Sequence, residues 1–528
     1  MIETPHHQNY SVDDLRSYLD SRPNTPGNYS GVNSPVWPSS PAWPRDRESM
    51  AGSTLALNPQ FATPDSPGFP PNSPGFPPNS PGFQGEKEQP KAAPARPPGP
   101  PGGPPPDGGL TAWLQVVGGH FLFMNTWGII NAYGMSCCNY SQSNLWQTAT
   151  NITSGIFQSY YRSDLLVGYQ PTAISWIGTI TSFFLCASPL MWGPVFDRGN
   201  VRILVFVGSG AVVLGLMMTS LCTEYWHLIL AQGIVVGLGG GCTFLTATSI
   251  LPTYFAKKRS LVMGIAASGS SMGGIIYPIV FHKLNGRIGF PWTVRVIGFI
   301  ALATLAVPCA VMKPRVPKSK MKKKLIDFAL LRELPFGLVN IATFFGFVGQ
   351  YIPFFFIENF AEDVGNQSKT SAFWMIIVLN AGSLPGRIIP SLIADKFFPP
   401  LVVLGCCTSA ATVLAFCWAA VRSSYAGLVI WALLYGFFAG AFVSLQGPCV
   451  ASMTTDMRTI GSRFGINMFC GALGILIGSP VGGAIFPHSW PGAGSFCGGT
   501  LLLSTIFIAL TYFAFEREKN RGQKRLSG

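Results

Sequence analysis

The feature that most limits how this chain can fold is a series of apolar stretches of about 20 residues, which recur from Leu110 onward. A helix of that length crosses about 30 Å of hydrocarbon, and lipid admits only segments whose backbone groups bond internally. Charged residues make up only 11% of the 528 residues, so water is not the main solvent. The sequence therefore predicts an all-α polytopic membrane protein.

Twelve such stretches can be delimited in the sequence. They are predicted at 110–134, 172–192, 203–222, 226–250, 260–281, 293–312, 335–357, 370–394, 399–419, 425–447, 464–486 and 494–515. A basic segment at 313–334, with seven cations and no acid from Lys313 to Lys324, divides them into six and six. This division predicts two pseudo-symmetric six-helix bundles, residues 107–312 and 335–515, joined by a cytosolic linker.

The distribution of cations between the loops predicts the orientation in the membrane. If the N-terminus is cytosolic, the inner loops hold most of the positive charge: Arg198, Arg202, Lys257, Lys258, Arg259, Lys396, Arg458, Arg463 and the Lys313–Lys324 cluster. The outer loops then hold Arg162, Lys283, Arg287, Lys369 and Arg422. Lysine and arginine accumulate on the cytosolic side, so both termini are expected there, with the plasma membrane as the expected location.

Residues 1–106 have a different composition, rich in Pro, Ser, Gly and Asn. The sequence SPGFPPN occurs at 66–72 and 73–79, and SPGF follows at 80–83. Such a segment has too little apolar surface to offset chain entropy, which predicts a disordered cytosolic tail. It is interpreted as a passive spacer, with docking of a partner protein left open. Residues 516–528 are predicted to form a short basic cytosolic tail.

The formal charge of +13 does not indicate nucleic-acid binding, because the cations lie in short loops between apolar stretches. They are expected to contact anionic membrane lipid instead. The cysteines form no CxxC pair, and no paired His or Cys ligands indicate a metal site. No metal and no cofactor are therefore expected.

A charged motif follows the second stretch. The segment GPVFDRGNVR places Gly193, Asp197, Arg198 and Arg202 in the pattern GxxxDRxxxR. This pattern resembles the loop signature of the major facilitator superfamily. The resemblance implies that Asp197, Arg198 and Arg202 make charge-assisted contacts that hold the cytosolic gate in one state.

Two further segments resemble the signatures of the monocarboxylate transporter family, in particular its fungal branch. They are DGGLTAW at the start of the first stretch and YFAKKRSLVMGIAASGSSMGG at the start of the fifth. The resemblance extends from about residue 106 to 515. Its signature positions are Asp107, Gly108, Gly109, Trp113, Tyr254, Phe255, Lys258, Arg259, Gly264, Gly269 and Gly273. The small residues lie at close helical spacing, which lets neighbouring helices approach.

Arg387 is a charged residue inside the eighth apolar stretch, LNAGSLPGRIIPSLIAD. A charge within hydrocarbon is costly and indicates function. The family resemblance implies that this arginine pairs with a substrate carboxylate, for which a guanidinium offers two parallel donors. The alternative is a structural arginine whose donors bond to helix carbonyls.

The chain departs from the proton-coupled family pattern at two positions. Ser383 stands where those proteins carry an aspartate, and Asn131 stands where they carry a lysine. Proton coupling therefore does not carry over from the resemblance, and facilitated diffusion or coupling through another site stays open. Further residues are candidates for lining the substrate cavity, against simple bonding between helices: Asn380, Trp127, Asn340, Gln350 and Asn125.

Residues 135–155 separate two segments, NAYG and IFQSYY, that are continuous in the fungal branch. Interpreted as protein, they form an outer loop with glycosylation candidates at Asn139 and Asn151, and a third candidate lies at Asn366. Interpreted as gene sequence, they are a retained intron of 63 nucleotides, the interpretation favoured by codons that permit splice signals at both ends.

These features predict a secondary transporter for a small organic anion, most simply a monocarboxylate, which works by alternating access. Export of a carboxylated secondary metabolite is the alternative within the same class. A transporter-derived nutrient sensor that signals through the tail is a second alternative. An integral-membrane enzyme is a third, and no ligand cluster supports it.

Overall fold

The computed structural model describes residues 105–133, 171–315, 328–363, 365, 367–421, 424–486 and 488–527. Within these ranges the chain is almost entirely helical and contains no strand. The predicted tail at 1–106, apart from its last two residues, and the segment 135–155 lie outside the described residues.

The described residues of the first bundle form eight α-helices and one wider π-helical turn. In chain order they are α1 (Leu110–Met124), α2 (Trp127–Tyr133), α3 (Pro171–Ala187), α4 (Pro189–Asp197), α5 (Val201–Thr219), α6 (Tyr225–Leu228), the π-helical turn Ile229–Val236, α7 (Gly237–Tyr254) and α8 (Arg259–Val311). The π-helical turn lies within the fourth apolar stretch.

Seven α-helices make up the described part of the second bundle. They are α9 (Leu334–Gln350), α10 (Ile352–Asp363), α11 (Lys369–Lys396), α12 (Pro400–Cys417), α13 (Tyr425–Ser452), α14 (Ile460–Ile485) and α15 (Trp490–Ser527). Short 3-10 turns at Phe328–Arg332, Trp418–Val421 and Met457–Thr459 precede or extend them.

The helices account for the twelve predicted spans. By length and composition, 10 described stretches are able to cross a membrane. One of them, α8, has 53 residues and contains Gly289 in a non-helical conformation at φ 75, so it comprises the fifth and sixth spans. Glycine adopts this positive φ without the steric cost of a side chain. The first span is present as α1 and α2, each too short alone.

Several predicted span ends were wrong, because the helices continue beyond the ends of the apolar stretches. Pro353 interrupts the seventh span near Tyr351, since proline lacks a backbone donor and its ring clashes with the preceding turn. The helix then resumes as α10 and continues to Asp363, six residues past the predicted end at 357. Likewise α15 continues through the predicted basic tail to Ser527.

The bundles meet along two pairs of spans. Helix α8 of the first bundle packs on α11 and α13 of the second, and α3 and α4 of the first pack on α14 of the second. Within the second bundle, α11 and α13 approach so closely that a Cβ at Gly386 would overlap the backbone of Phe437. The glycines therefore set the position of α11, the helix that carries Arg387.

Candidate functional site

One face of α11 carries three of the predicted substrate-binding residues. Asn380, Ser383 and Arg387 are spaced by three and four residues, so they lie above one another on the helix surface. All three are buried, and the Arg387 side chain is 2% exposed. The face points towards the first bundle, because Asn380 and Arg387 both bond to residues of that bundle.

The Arg387 guanidinium bonds only to neutral groups. Its Nη1 donates to the carbonyl oxygen of Ala267 at 2.8 Å, and its Nε donates to Ser383 Oγ at 3.2 Å. No carboxylate of the described chain lies within ion-pair distance of it. Burying an uncompensated charge costs about 3 kcal/mol or more in a membrane, so a charged side chain in this position is expected to have a functional role.

Aromatic side chains close the space next to Arg387. The Trp127 ring of α2 stacks on Tyr351 with centroids 4.9 Å apart and planes 5° apart. Tyr351 also stacks on Phe347 and interacts electrostatically with Arg387. The Trp127 Nε1 donor is buried without a hydrogen-bond partner. Trp127 of the first bundle therefore shares one buried region with Tyr351, Phe347 and Arg387 of the second.

Two more contacts join the bundles on the side opposite Asp197, which the predicted orientation makes the outer side. The Asn131 amide donates to Asn380 Oδ1 at 3.1 Å, and the ring of His282 stacks on Phe373 with centroids 4.7 Å apart. A single inter-bundle interface, closed to solvent, thus holds all five predicted substrate-binding residues: Trp127, Asn131, Asn380, Ser383 and Arg387.

Three other sequence candidates bond within a bundle instead. Asn125 donates to Thr304 at 2.8 Å and accepts from Tyr277 at 2.7 Å, all within the first bundle. Asn340 accepts from Asn467 at 3.0 Å, and Gln350 donates to the Ala439 carbonyl at 2.8 Å. These contacts correspond to the alternative for the three residues, hydrogen bonding between neighbouring helices.

Asp197 joins the bundles at the inner side. Its carboxylate accepts from the backbone N–H groups of Gly461 and Ser462, each at 2.9 Å, and from the Ser462 hydroxyl. These groups begin α14, whose exposed backbone donors favour a negative charge. Arg198 and Arg202 are exposed, and the described chain supplies no hydrogen bond or ion pair to either guanidinium group.

Asp395 makes the matching contact from the second bundle, which was not identified from the sequence. It accepts from the backbone N–H groups of Ser260 and Leu261 at 2.9 and 2.7 Å, at the start of α8. Each aspartate ends one span and caps a helix of the other bundle. The segment IADK, which contains Asp395, lacks the DRxxxR pattern. Only the position of Asp395 at the end of the eighth span, which is equivalent to that of Asp197 after the second span, could have indicated its role.

The two family signatures contact each other beside this inner interface. Asp107 Oδ1 accepts from the N–H groups of Ala256 and Lys257 at 2.6 and 2.8 Å. The Trp113 ring meets Phe255 edge to face with centroids 5.7 Å apart. Nearby, a positive φ of 86° at the glycine before α1 allows the turn into that helix. The DGGLTAW segment therefore holds the loop that precedes α8.

Other signature residues bring helices together. Tyr254 donates to the Lys313 carbonyl at 2.8 Å, and Arg259 Nη1 donates to Ala451 of the second bundle at 3.4 Å. Side chains in place of the signature glycines of α8 would overlap the backbone of another helix: Gly264 that of Arg387, Gly269 that of His120 and Gly273 that of Met124.

Three signature positions make no such contact. A side chain at Gly108 or Gly109 would meet no atom within 4 Å, although Gly109 has the positive φ that favours glycine. Lys258 is exposed. These positions therefore do not contribute to the packing of the helices.

The glycosylation candidates Asn139, Asn151 and Asn366 lie outside the described residues. In the described part of the chain, no group of three or more His, Cys, Asp or Glu side chains is arranged to hold a metal ion.

The fold and the site define a helical membrane transporter made of two bundles with a buried polar interface. The chain belongs to the Major Facilitator Superfamily, whose family model matches residues 116–426 and 339–528.

Similar proteins occur in fungi. The MFS-type transporter dbaD of Emericella nidulans is 42% identical over 408 residues, which are 76% of this chain and 86% of the relative. The Agnestins efflux protein AgnL12 of Paecilomyces divaricatus is 36% identical over 67% of this chain and 82% of its own. The Aspyridones efflux protein apdF of Emericella nidulans is 32% identical over 72% of this chain and 73% of its own.

A solved structure with a similar fold is that of the human organic anion transporter MFSD10 (TETRAN). It aligns with a TM-score of 0.56 at 15% identity, covering 75% of this chain and 98% of that one. At this identity the likeness concerns the fold alone.

Proposed function

We propose that this transporter exports a largely apolar, aromatic organic anion, most simply a carboxylated secondary metabolite. The observation that carries the proposal is the Arg387 guanidinium, which is buried between the bundles next to the Trp127–Tyr351 stack and has no carboxylate of the described chain within ion-pair distance. The guanidinium suits a carboxylate, and the flat rings suit an aromatic body. The efflux proteins among the relatives support the outward direction.

Arg387 also offers a way to link substrate binding to movement of the bundles. Its bond to the Ala267 carbonyl joins α11 of the second bundle to α8 of the first. A substrate carboxylate that takes this donor replaces a neutral acceptor with a charged one, which makes a stronger hydrogen bond. Substrate binding then loosens one inter-bundle contact while it satisfies the buried charge.

Transport of a short monocarboxylate, such as lactate, is the second candidate, supported by the resemblance of the DGGLTAW and YFAKKR segments to the monocarboxylate transporter family. The two candidates differ in how the substrate uses the Trp127 and Tyr351 rings, which we call the aromatic wall. A short acid pairs with the guanidinium but does not stack on the Trp127 and Tyr351 rings.

The experiment compares labelled 2-naphthoate, lactate and neutral 2-naphthalenemethanol in inside-out vesicles from yeast cells that express the chain. The proposal expects saturable accumulation of 2-naphthoate above that of control vesicles, little transport of lactate and none of the alcohol. Preference for lactate would favour the second candidate. Equal transport of the alcohol would contradict an anion site.

A further inference from the structure

Glu358 is a buried acid that neither the signatures nor the proposed substrate site uses. It lies on α10, seven residues after Tyr351, which immediately precedes that helix and accepts the backbone N–H of Phe355 in its first turn. At about 1.5 Å per residue, Glu358 lies about 9 Å along α10 from the first residue of the helix, in the direction of the predicted outer side. Its side chain is 5% exposed, and its Oε2 atom has no hydrogen-bond partner.

Among the side chains that the structure describes, none supplies a positive charge to Glu358. Helix α10 packs on α9, α11 and α14. Within the described chain, the charge that acts on Glu358 is the like charge of Glu362, one turn further along α10. Of the titratable residues at the outer ends of the neighbouring helices, His488 after α14 is exposed, and Lys369 begins α11. No ion pair to Glu358 is present in the described chain.

An ionised carboxylate in such a place is costly, because it loses hydration and gains neither a donor nor a cation. A carboxyl group that carries a proton avoids most of that cost. The occluded arrangement therefore suits the neutral side chain, and the charged side chain suits a state in which water reaches α10. Opening and closing of the interface beside Tyr351 is thus linked to uptake and release of one proton.

We propose that Glu358 is the proton-binding site of the transport cycle. In the outward-open state its carboxylate takes a proton from a hydronium ion, which leaves water, and the O–H bond is broken again when the proton passes to inner water. The proton moves inward while the organic anion moves outward, so each cycle carries positive charge inward. This inference rests on the proposed function and deepens it, since it names the coupling ion.

The test uses purified protein in proteoliposomes with 2-naphthoate as the probe. In Glu358→Gln, accumulation of 2-naphthoate driven by a pH gradient and proton movement driven by 2-naphthoate are both expected to be lost. Exchange of labelled for unlabelled 2-naphthoate needs no net proton movement and should persist. Glu224→Gln, which changes an exposed acid before α6, should keep all three activities.

A second measurement does not depend on transport. The infrared difference spectrum between acidic and alkaline protein should contain the carbonyl band of a buried protonated carboxyl group, absent in Glu358→Gln and present in Glu224→Gln. Failure of wild-type 2-naphthoate transport with this band present would reject the proposed function alone. Three results would overturn the inference. They are transport driven by a pH gradient in Glu358→Gln, absence of the band in wild type, and wild-type accumulation of 2-naphthoate that a sodium gradient drives as well as a pH gradient does.

Discussion

Buried charges in this chain differ in how they are satisfied. Arg463 donates to both carboxylate oxygens of Glu333 at 2.6 and 2.8 Å, and Asp197 accepts three hydrogen bonds at a helix start. Arg387 has neutral acceptors only, and Glu358 Oε2 has no partner. The charges of Arg463 and Asp197 are structural, because each meets a partner. Those of Arg387 and Glu358 are the ones that we propose for a substrate and a coupling ion.

A first prediction concerns Trp127 and tests the aromatic wall. Trp127→Leu keeps an apolar side chain but removes the ring that stacks on Tyr351. A stacking contact contributes about 0.5 to 1.5 kcal/mol, so the KM for 2-naphthoate should rise by about two- to tenfold. The KM for the smaller acid benzoate should rise less. Initial rates over a concentration series check this, and an equal change for both acids would contradict an aromatic wall.

The residues of the site are only partly predictable from the sequence. Arg387 stands out because a charge within an apolar stretch is rare, and Asp197 lies in a recognisable pattern. Asn125 and Asn340 show the limit, since a polar residue looks the same in sequence whether it faces a cavity or a neighbouring helix. Glu358 escapes notice because the predicted seventh span ends at 357, where the polar residues begin.

At the scale of elements, the inner interface is held by two caps related by pseudo-symmetry. Asp197 at the end of α4 caps α14, and Asp395 at the end of α11 caps α8. Every helix start leaves backbone donors without intrahelical partners, and a carboxylate satisfies two of them while favouring the positive end of the dipole. Because both caps cross between bundles, they stabilise the arrangement with the inner side closed.

A second prediction tests these caps. Asp197→Asn and Asp395→Asn should each leave folding intact but weaken the closed inner side by about 0.5 to 2 kcal/mol, because asparagine lacks the charge and one acceptor oxygen. Each variant should therefore slow the return from the inward-open to the outward-open state. The measurement is the rate of 2-naphthoate exchange at matched expression. Asp456→Asn is the control, since Asp456 caps only its own short helix, at the Arg458 N–H. Unchanged exchange rates in both cap variants would count against this role.

The helices also show where sequence prediction of elements stops. The length of the apolar stretches was enough to predict every span, because a helix must have about that length to cross the hydrocarbon. The ends were less certain, since α10 and α15 continue through polar residues whose helical bonds need no lipid. The division of the first span into α1 and α2 near Asn125 was not predictable, because no proline marks it.

At the scale of the whole molecule, orientation follows from charge asymmetry rather than from packing. A third prediction is that tags at either terminus and in the segment 313–330 are accessible only from the cytosol, because lysine and arginine predominate on that side. Tags are placed in separate variants and labelled in intact and permeabilised cells, with a tag in the predicted outer loop that contains Arg422 as the outer control. Surface labelling of any of the first three in intact cells would refute the orientation.

The proposed transport cycle requires the bundles to separate around Arg387 and to take up an anion there. The most direct test is 2-naphthoate exchange in proteoliposomes for wild type, Arg387→Lys and Arg387→Gln. Lysine keeps the charge but not the two-pronged geometry, so the loss should correspond to about 1 to 3 kcal/mol, and glutamine should lose nearly all exchange. Arg295→Gln serves as control, because Arg295 is half-buried and bonds to Ser220 within the first bundle. Near-complete loss in Arg387→Gln beside an active Arg295→Gln is the predicted result, and full activity in Arg387→Gln would remove Arg387 as the anion site.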